Sequence, residues 1–307
     1  MSKKFLKKSL LLIAVTAAAL LSGCSPLSKA QLESVAKFSE TCDSFTAYPS
    51  HIFRELHSIR QESSVWYASS LTQPDNRVNE LLIIAGSRNE SEKLAKGTDV
   101  SMSILASYAR ALKSLAHNNR VEAPGIEIRS AGRAIDTLLT AFNSLKITKP
   151  ISTGFLSVAA KIIGYGAELN ATRVRGEALM AMLPSGDTLV TELCLSLESI
   201  LKGEDLKLLI DHEQQMVAAN YLSYVRIRGG SIEEDRRFTE LAGRGDDISK
   251  LRTATITSVG SLRRAHNKLA SQIREGISLP ELILEIEEFG KEVNKLHKAT
   301  KKWQKNR

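Results

Sequence analysis

The sequence predicts an all-α protein, an elongated antiparallel bundle of about eight or nine helices that follows a cleaved signal helix. Three observations predict it. Apolar residues recur at steps of three and four along most of the chain. Proline and glycine fall in the gaps between these stripes. Alternating apolar and polar runs bounded by hairpin turns such as Asn-Gly are nearly absent.

The leader comes first. Lys3, Lys4, Lys7 and Lys8 make a basic opening, and Leu10 to Leu21 is apolar except at Thr16. A basic start, an apolar run of this length and small residues at its end describe a secretory signal. The run is short for a membrane-spanning helix, which needs ~20 apolar residues. It ends Leu21-Ser22-Gly23-Cys24, which resembles the lipobox of bacterial lipoproteins. The resemblance implies cleavage before Cys24, a thioether from its thiol to a diacylglycerol, and acylation of the new amine. Ser25 in place of aspartate implies, by the same analogy, delivery to the outer membrane of a Gram-negative envelope, facing the periplasm. One acyl chain holds a protein only marginally, whereas two or more hold it stably. The expected division is a signal peptide over 1–23, an acylated start and short tether over 24–33, and a helical domain over 34–307.

Without the leader roughly 280 residues remain, enough for one large domain or two modest ones. The leader also takes four lysines and no acid with it, which halves the formal net charge of +8. The remainder is too weakly basic, and too poor in aromatics among its basic residues, to mark a nucleic-acid surface. Two cysteines are left, Cys42 and Cys194. An oxidising envelope permits a disulfide between them, and each is equally suited to be a buried free thiol. A bridge would close a loop of about 150 residues and stabilise the fold by ~4–5 kcal/mol in the chain-entropy account.

The helical stripes follow in order. Ile104, Leu105, Tyr108, Leu112 and Leu115 share one face, as do Ile128, Ile135, Leu138, Leu139, Phe142 and Leu145. Ile248, Leu251, Val259, Leu262, Leu269 and Ile273 form a third stripe, and Leu282, Ile286, Phe289, Val293 and Leu296 a fourth. Leu105, Leu112, Leu138, Phe142, Leu262 and Leu269 are expected to face inward. Breaks are expected at Pro74, Pro124-Gly125, Pro150, Pro184-Ser185-Gly186, Gly229-Gly230, Gly243 with Gly245, and Pro280. Ser231 with Glu234 fits a capping box, and Asp247 suits the start of a helix near Ile248. Residues 151–167, ISTGFLSVAAKIIGYGA, carry one charge, Lys161, with small residues at Gly154, Ala160, Gly164, Gly166 and Ala167. The segment is expected as a helix at the bundle's centre; the alternative is a membrane-inserting hairpin.

Chemistry is sparse. His212 and Glu213 open an H-E-x-x-H pattern, but Met216 stands where zinc needs the second histidine. The histidines are His51, His57, His117, His212, His266 and His297, and no two lie at i, i+4. There is no G-x-S-x-G, Walker loop or G-x-G-x-x-G. No catalytic residue, metal site or cofactor is predicted. Arg244-Gly245-Asp246 spells an integrin-type tripeptide and reads as a turn between two helices. The mixed charges of Glu233, Glu234, Asp235, Arg236 and Arg237 suit a solvated first turn. At the C-terminus Lys298, Lys301, Lys302, Lys305 and Arg307 surround Trp303. They suit either a helix end or contact with an anionic surface, with Trp303 at the interface.

These features predict a lipid-anchored protein of the cell envelope, a non-catalytic scaffold or binding subunit that engages an envelope protein or the cell wall through helix faces. A pore-forming or membrane-remodelling protein using 151–167 is the first alternative, and an enzyme of an unrecognised type is the second. An exposed apolar hairpin at 151–167 favours the pore. A deep polar pocket with convergent carboxylates or histidines favours the enzyme.

Overall fold

A computed structural model describes residues 27–305 except 87–89, 117–123, 152–159, 162–163, 165–171 and 276–278. The described residues are helical, with no strand among them. In chain order the helices are α1 (Lys29–Phe45), α2 (His51–Ser70), α3 (Pro74–Gly86), α4 (Glu90–Ala116), α5 (Pro124–Ser144), α6 (Thr172–Lys202), α7 (Glu204–Arg228), α8 (Ile232–Glu275) and α9 (Leu279–Lys305). The leader and Cys24 lie outside the described residues.

Helix α1 starts earlier than its expected tether allows. The Ser28 hydroxyl accepts from the Gln31 amide at 3.2 Å, and the Gln31 side chain accepts from the Ser28 amide at 2.7 Å. This reciprocal cap begins the helix at Lys29, and Leu27 and Leu32 pack against the core. Residues 29–33 of the segment expected as a tether over 24–33 are therefore helix.

Helix α8 organises the rest. Its 44 residues span about 66 Å. Phe38 of α1 meets His266 near its C-terminal end, at 5.4 Å between rings, while Glu55 and Trp66 of α2 meet Arg244 and Glu234 nearer its N-terminal end. Helices α1 and α2 are thus stacked end to end, antiparallel to α8. The same holds for α6 and α7: Asp187 pairs with His266, and Tyr221 with Asp235. Helix α4 crosses the α1–α2 corner, where Lys113 pairs with Glu40 and Asp99 with Arg54. Helix α5 lies on α4. Helix α9 packs on α8 and α1, with Arg264–Glu285 at 3.5 Å and Lys268–Glu281 at 3.2 Å.

The four stripes are the core. Ile104, Leu105, Tyr108, Leu112, Ile128, Ile135, Ile248, Leu251, Leu262, Leu269, Leu282 and Phe289 are all buried. Leu138 is half-buried and Leu139 takes the inward position beside it.

Several expected breaks and caps are corrected. Pro184-Ser185-Gly186 does not break the chain; it lies inside α6. A proline inside a helix costs ~3 kcal/mol. Met182, Leu183, Leu189 and Val190 are buried at both sides of it, and that packing outweighs the cost. Gly186 is there for proximity: a Cβ on it would stand 2.2 Å from the Tyr108 hydroxyl. Likewise α8 runs unbroken through Gly243 and Gly245, so Asp247 caps nothing and Arg244-Gly245-Asp246 is helix rather than turn. A Cβ on Gly245 would lie 2.2 Å from the Gln214 side chain of α7, so this glycine also admits a close neighbour. Gly229, at φ 76°, ends α7 as expected. The capping box at Ser231 is half formed: its hydroxyl accepts from the Glu234 amide at 3.2 Å, but the Glu234 carboxylate accepts from Trp66 Nε1 instead.

Most of 151–167 lies outside the described residues. Ile151 is buried, whereas Ala160, Lys161 and Gly164 are exposed, so the expected central burial fails at those three positions. Lys161 donates to the Ser185 hydroxyl at 3.2 Å, which places it beside α6. The helix at the core is α6, and it is also the described helix apolar and long enough to cross a membrane, with half of its most apolar stretch buried.

Candidate functional site

Two of the polar clusters that the fold brings together lie inside it. His266 is fully buried. Its Nδ1 faces Asp187 Oδ1 at 3.0 Å and its Nε2 faces the Tyr108 hydroxyl at 2.9 Å. The carboxylate places the proton on Nδ1, which leaves Nε2 to accept from the tyrosine. Asn267 also donates to Asp187, at 3.3 Å. Burial, then the Asp187 charge, pushes the Tyr108 hydroxyl well above its ordinary pKa. The order carboxylate–imidazole–hydroxyl matches a proton relay, but Tyr108 and His266 are sealed from solvent and Phe38 closes the imidazole's edge. The three residues join α4, α6 and α8.

A second constellation ties α2 to α8. Arg244, 4% exposed, pairs with Glu55 through Nε, with Glu62 at 2.7 Å and with the Ser58 hydroxyl at 3.0 Å. Burial works against ionised Glu62, yet the Arg244 hydrogen bond and charge, with Ser58 and Arg237, hold its carboxyl below the usual range. The arginine of the integrin-type tripeptide is therefore an internal strut between helices.

Each predicted site residue has a place. Cys42 and Cys194 are free thiols, each 1% exposed in the same core, so the disulfide weighed for them is not formed in the structure. Burial, then Asp43, pushes the Cys42 thiol up to about 12, and burial with the Cys42 charge raises Cys194 further. His212 is exposed, while Glu213 turns inward, 3.7 Å from Arg60, and burial raises its carboxyl pKa. Among the described residues no group of three His, Cys, Asp or Glu is placed to hold a metal ion. Trp303 does not reach an interface; it is buried, with its ring 5.3 Å from that of His51. Lys298, Lys301 and Lys302 are exposed on the other side of α9. The side chain of Lys305, and Arg307, lie outside the described residues.

A cleft of about 770 Å³ opens between the 147–151 connection and the α6–α7 corner. Leu94, Ile151 and Leu206 form apolar walls, with Lys149, Glu192 and Asp205 at the rim. No histidine is among its lining residues.

One helix is turned against the usual pattern. Arg77, Glu80 and Ile84 of α3, at i, i+3 and i+7, are half-buried on the side toward α2, and no residue of α3 is buried. Its outward side carries Val78, Leu82 and Ile83, which are 54%, 65% and 61% exposed. Sequence reasoning missed this helix because its composition, LLII between Glu80 and Gly86, reads as core.

Comparison with known protein families, curated proteins and solved structures gives no match for this chain.

Proposed function

We propose that the protein is a lipid-anchored, non-catalytic scaffold of the cell envelope that engages a protein partner through the outward apolar side of α3. The observation that carries this reading is the placement of that side. Leu27 lies beside Gly176 at the start of α6, toward the C-terminal end of α8, whereas α3 follows Trp66 at the N-terminal end of α8. The first described residues and the apolar helix thus lie toward opposite ends of α8, which is about 66 Å long. Exposed apolar patches rimmed by polar residues are characteristic of protein contact. The buried polar constellations support the reading in another way, since their groups are consumed in joining helices.

Two measurements test it. Cys24→Ala should abolish incorporation of labelled palmitate and either release the chain from the membrane fraction or leave the uncleaved precursor; normal processing and retention would sink the anchor. Leu82→Asp should leave the melting temperature unchanged, because the side chain is exposed, and should remove from affinity-purified material a protein recovered with the parent. If the two preparations are identical, α3 is not the contact.

The exposure of Ala160, Lys161 and Gly164 favours one other reading, membrane remodelling through 151–167. Dye release from vesicles by the parent, abolished by a charge at Ala160, would select it.

A further inference from the structure

Helix α9 carries a ridge of lysines that its sequence register lines up. Lys291, Lys295, Lys298 and Lys302 follow at steps of four, three and four, and Lys305 continues the series. At ~3.6 residues per turn these fall on one face. That face is opposite the buried one, which holds Leu282, Phe289, Val293, Leu296 and Trp303. Lys291 and Lys295 have side chains 62% and 67% exposed, and each has an acid of its own helix nearby, Glu288 and Glu292. Lys298, Lys301 and Lys302 are exposed and make no ion pair among the described residues. The same outward face begins with Leu284, 62% exposed, beside Ile283 at 41%.

The neighbour of this ridge matters. Helices α1 and α9 pack side by side and run in the same direction: Phe45 meets Phe289 at 6.1 Å, and Tyr48 meets His297 at 5.6 Å. The N-terminus of α1 is therefore level with the start of α9. The first described residues of the chain thus lie at the level of the start of α9. Three steps of chain lead from Leu27 back to Cys24, a reach of at most ~11 Å.

We propose that the outward face of α9 is a second membrane contact: Ile283 and Leu284 enter the apolar boundary, and Lys291, Lys295, Lys298 and Lys302 lie on anionic lipid headgroups, laying the bundle along the bilayer that tethers it. The proposal rests on the lipid-anchored reading for its tether. Lysines suit diffuse headgroup charge because each is a compact cation with no fixed fork to match. The ridge is convex, so it fits an extended surface rather than a small ligand. Tethering keeps that surface at high effective concentration.

Vesicle partitioning tests the ridge apart from the tether. The full chain with Cys24→Ser is mixed with vesicles of phosphatidylcholine alone, or of phosphatidylcholine with phosphatidylglycerol. Its leader binds both, and the four leader lysines add the same anionic preference to every variant, so the readout is the ratio between them compared across variants. The ratio should be large at low salt and fall as salt rises. Joint replacement of Lys291, Lys295, Lys298 and Lys302 by Gln should lower it by roughly 600-fold, since each basic group near such a surface multiplies partitioning roughly fivefold. The same replacement at Lys96, Lys207, Arg226 and Arg236 should leave most of it. A parent ratio near one, an unchanged ratio in the ridge variant, or equal losses in both variants overturns the proposal. Failure of the anchor is read separately, as absence of palmitate label on the chain that keeps Cys24, with the vesicle preference of the Cys24→Ser chain intact.

Discussion

Arg244 sits on the apolar stripe of α8, three residues after Leu241 and four before Ile248, and that position is why its charge is inside. Removing it leaves the buried Glu55 carboxyl without its partner. Arg244→Ala should therefore cost ~3–5 kcal/mol in urea denaturation. Arg244→Lys should recover only part of this, because an ammonium cannot serve Glu55, Glu62 and Ser58 in the fork that the guanidinium provides. Glu62 adds a pH signature. Its carboxyl pKa is lower in the folded chain than in the unfolded one, so its stabilisation is present above ~4.3, the unfolded value, and is lost as pH falls through the folded value. Acid titration of stability should be shallower in Glu62→Gln than in the parent; parallel curves would remove Glu62 from the account. The residues of both internal constellations were legible in part. Tyr108 and His266 also fall on apolar stripes, and a polar side chain on a stripe signals a buried polar bond. The partners Asp187, Glu55 and Glu62 were not legible, since nothing local marks which carboxylate a distant helix will meet.

Helix boundaries divide the sequence signals by cause. Pro74, Pro124 and Pro280 fall at or just inside helix starts, where a missing amide costs nothing. Gly229 ends α7 with a positive φ that only glycine adopts easily. Those breaks are local and were readable. Pro184, Gly186, Gly243 and Gly245 carry the same letters but lie within α6 and α8, because packing against other helices decided there. The glycines should answer differently to alanine. Gly290 of α9 has open space around it, so Gly290→Ala should raise stability by up to ~1 kcal/mol through helix propensity alone. Gly186→Ala drives a methyl into the Tyr108 ring, breaks its bond to His266, and should cost ~1–3 kcal/mol. Thermal melts of the pair settle it; equal signs would mean that Gly186 is not held for closeness.

At the scale of the molecule, the four stripes were enough to predict an all-α bundle, but not its layout. The end-to-end stacking of α1 on α2, and of α6 on α7, depends on contacts such as Phe38–His266 and Trp66–Glu234, more than 160 residues apart. Since α8 belongs to both ends, damage at either end should be felt throughout. Phe38→Ala and Trp66→Ala should each shift one common unfolding transition, followed by circular dichroism, by several degrees; two separate transitions would show that the ends fold independently.

The stacking of α1 on α2 also fixes how the chain responds to force. A pull between residue 24 and α3 acts along the axes of α1 and α2, which lie flat against α8. The chain cannot lengthen at their corner unless one of them slides past α8, breaking its side-chain contacts together rather than one at a time. Such a shear arrangement resists extension better than a hairpin that peels open from its end. A body built this way transmits tension between the start of α1 and its far tip with little stretch.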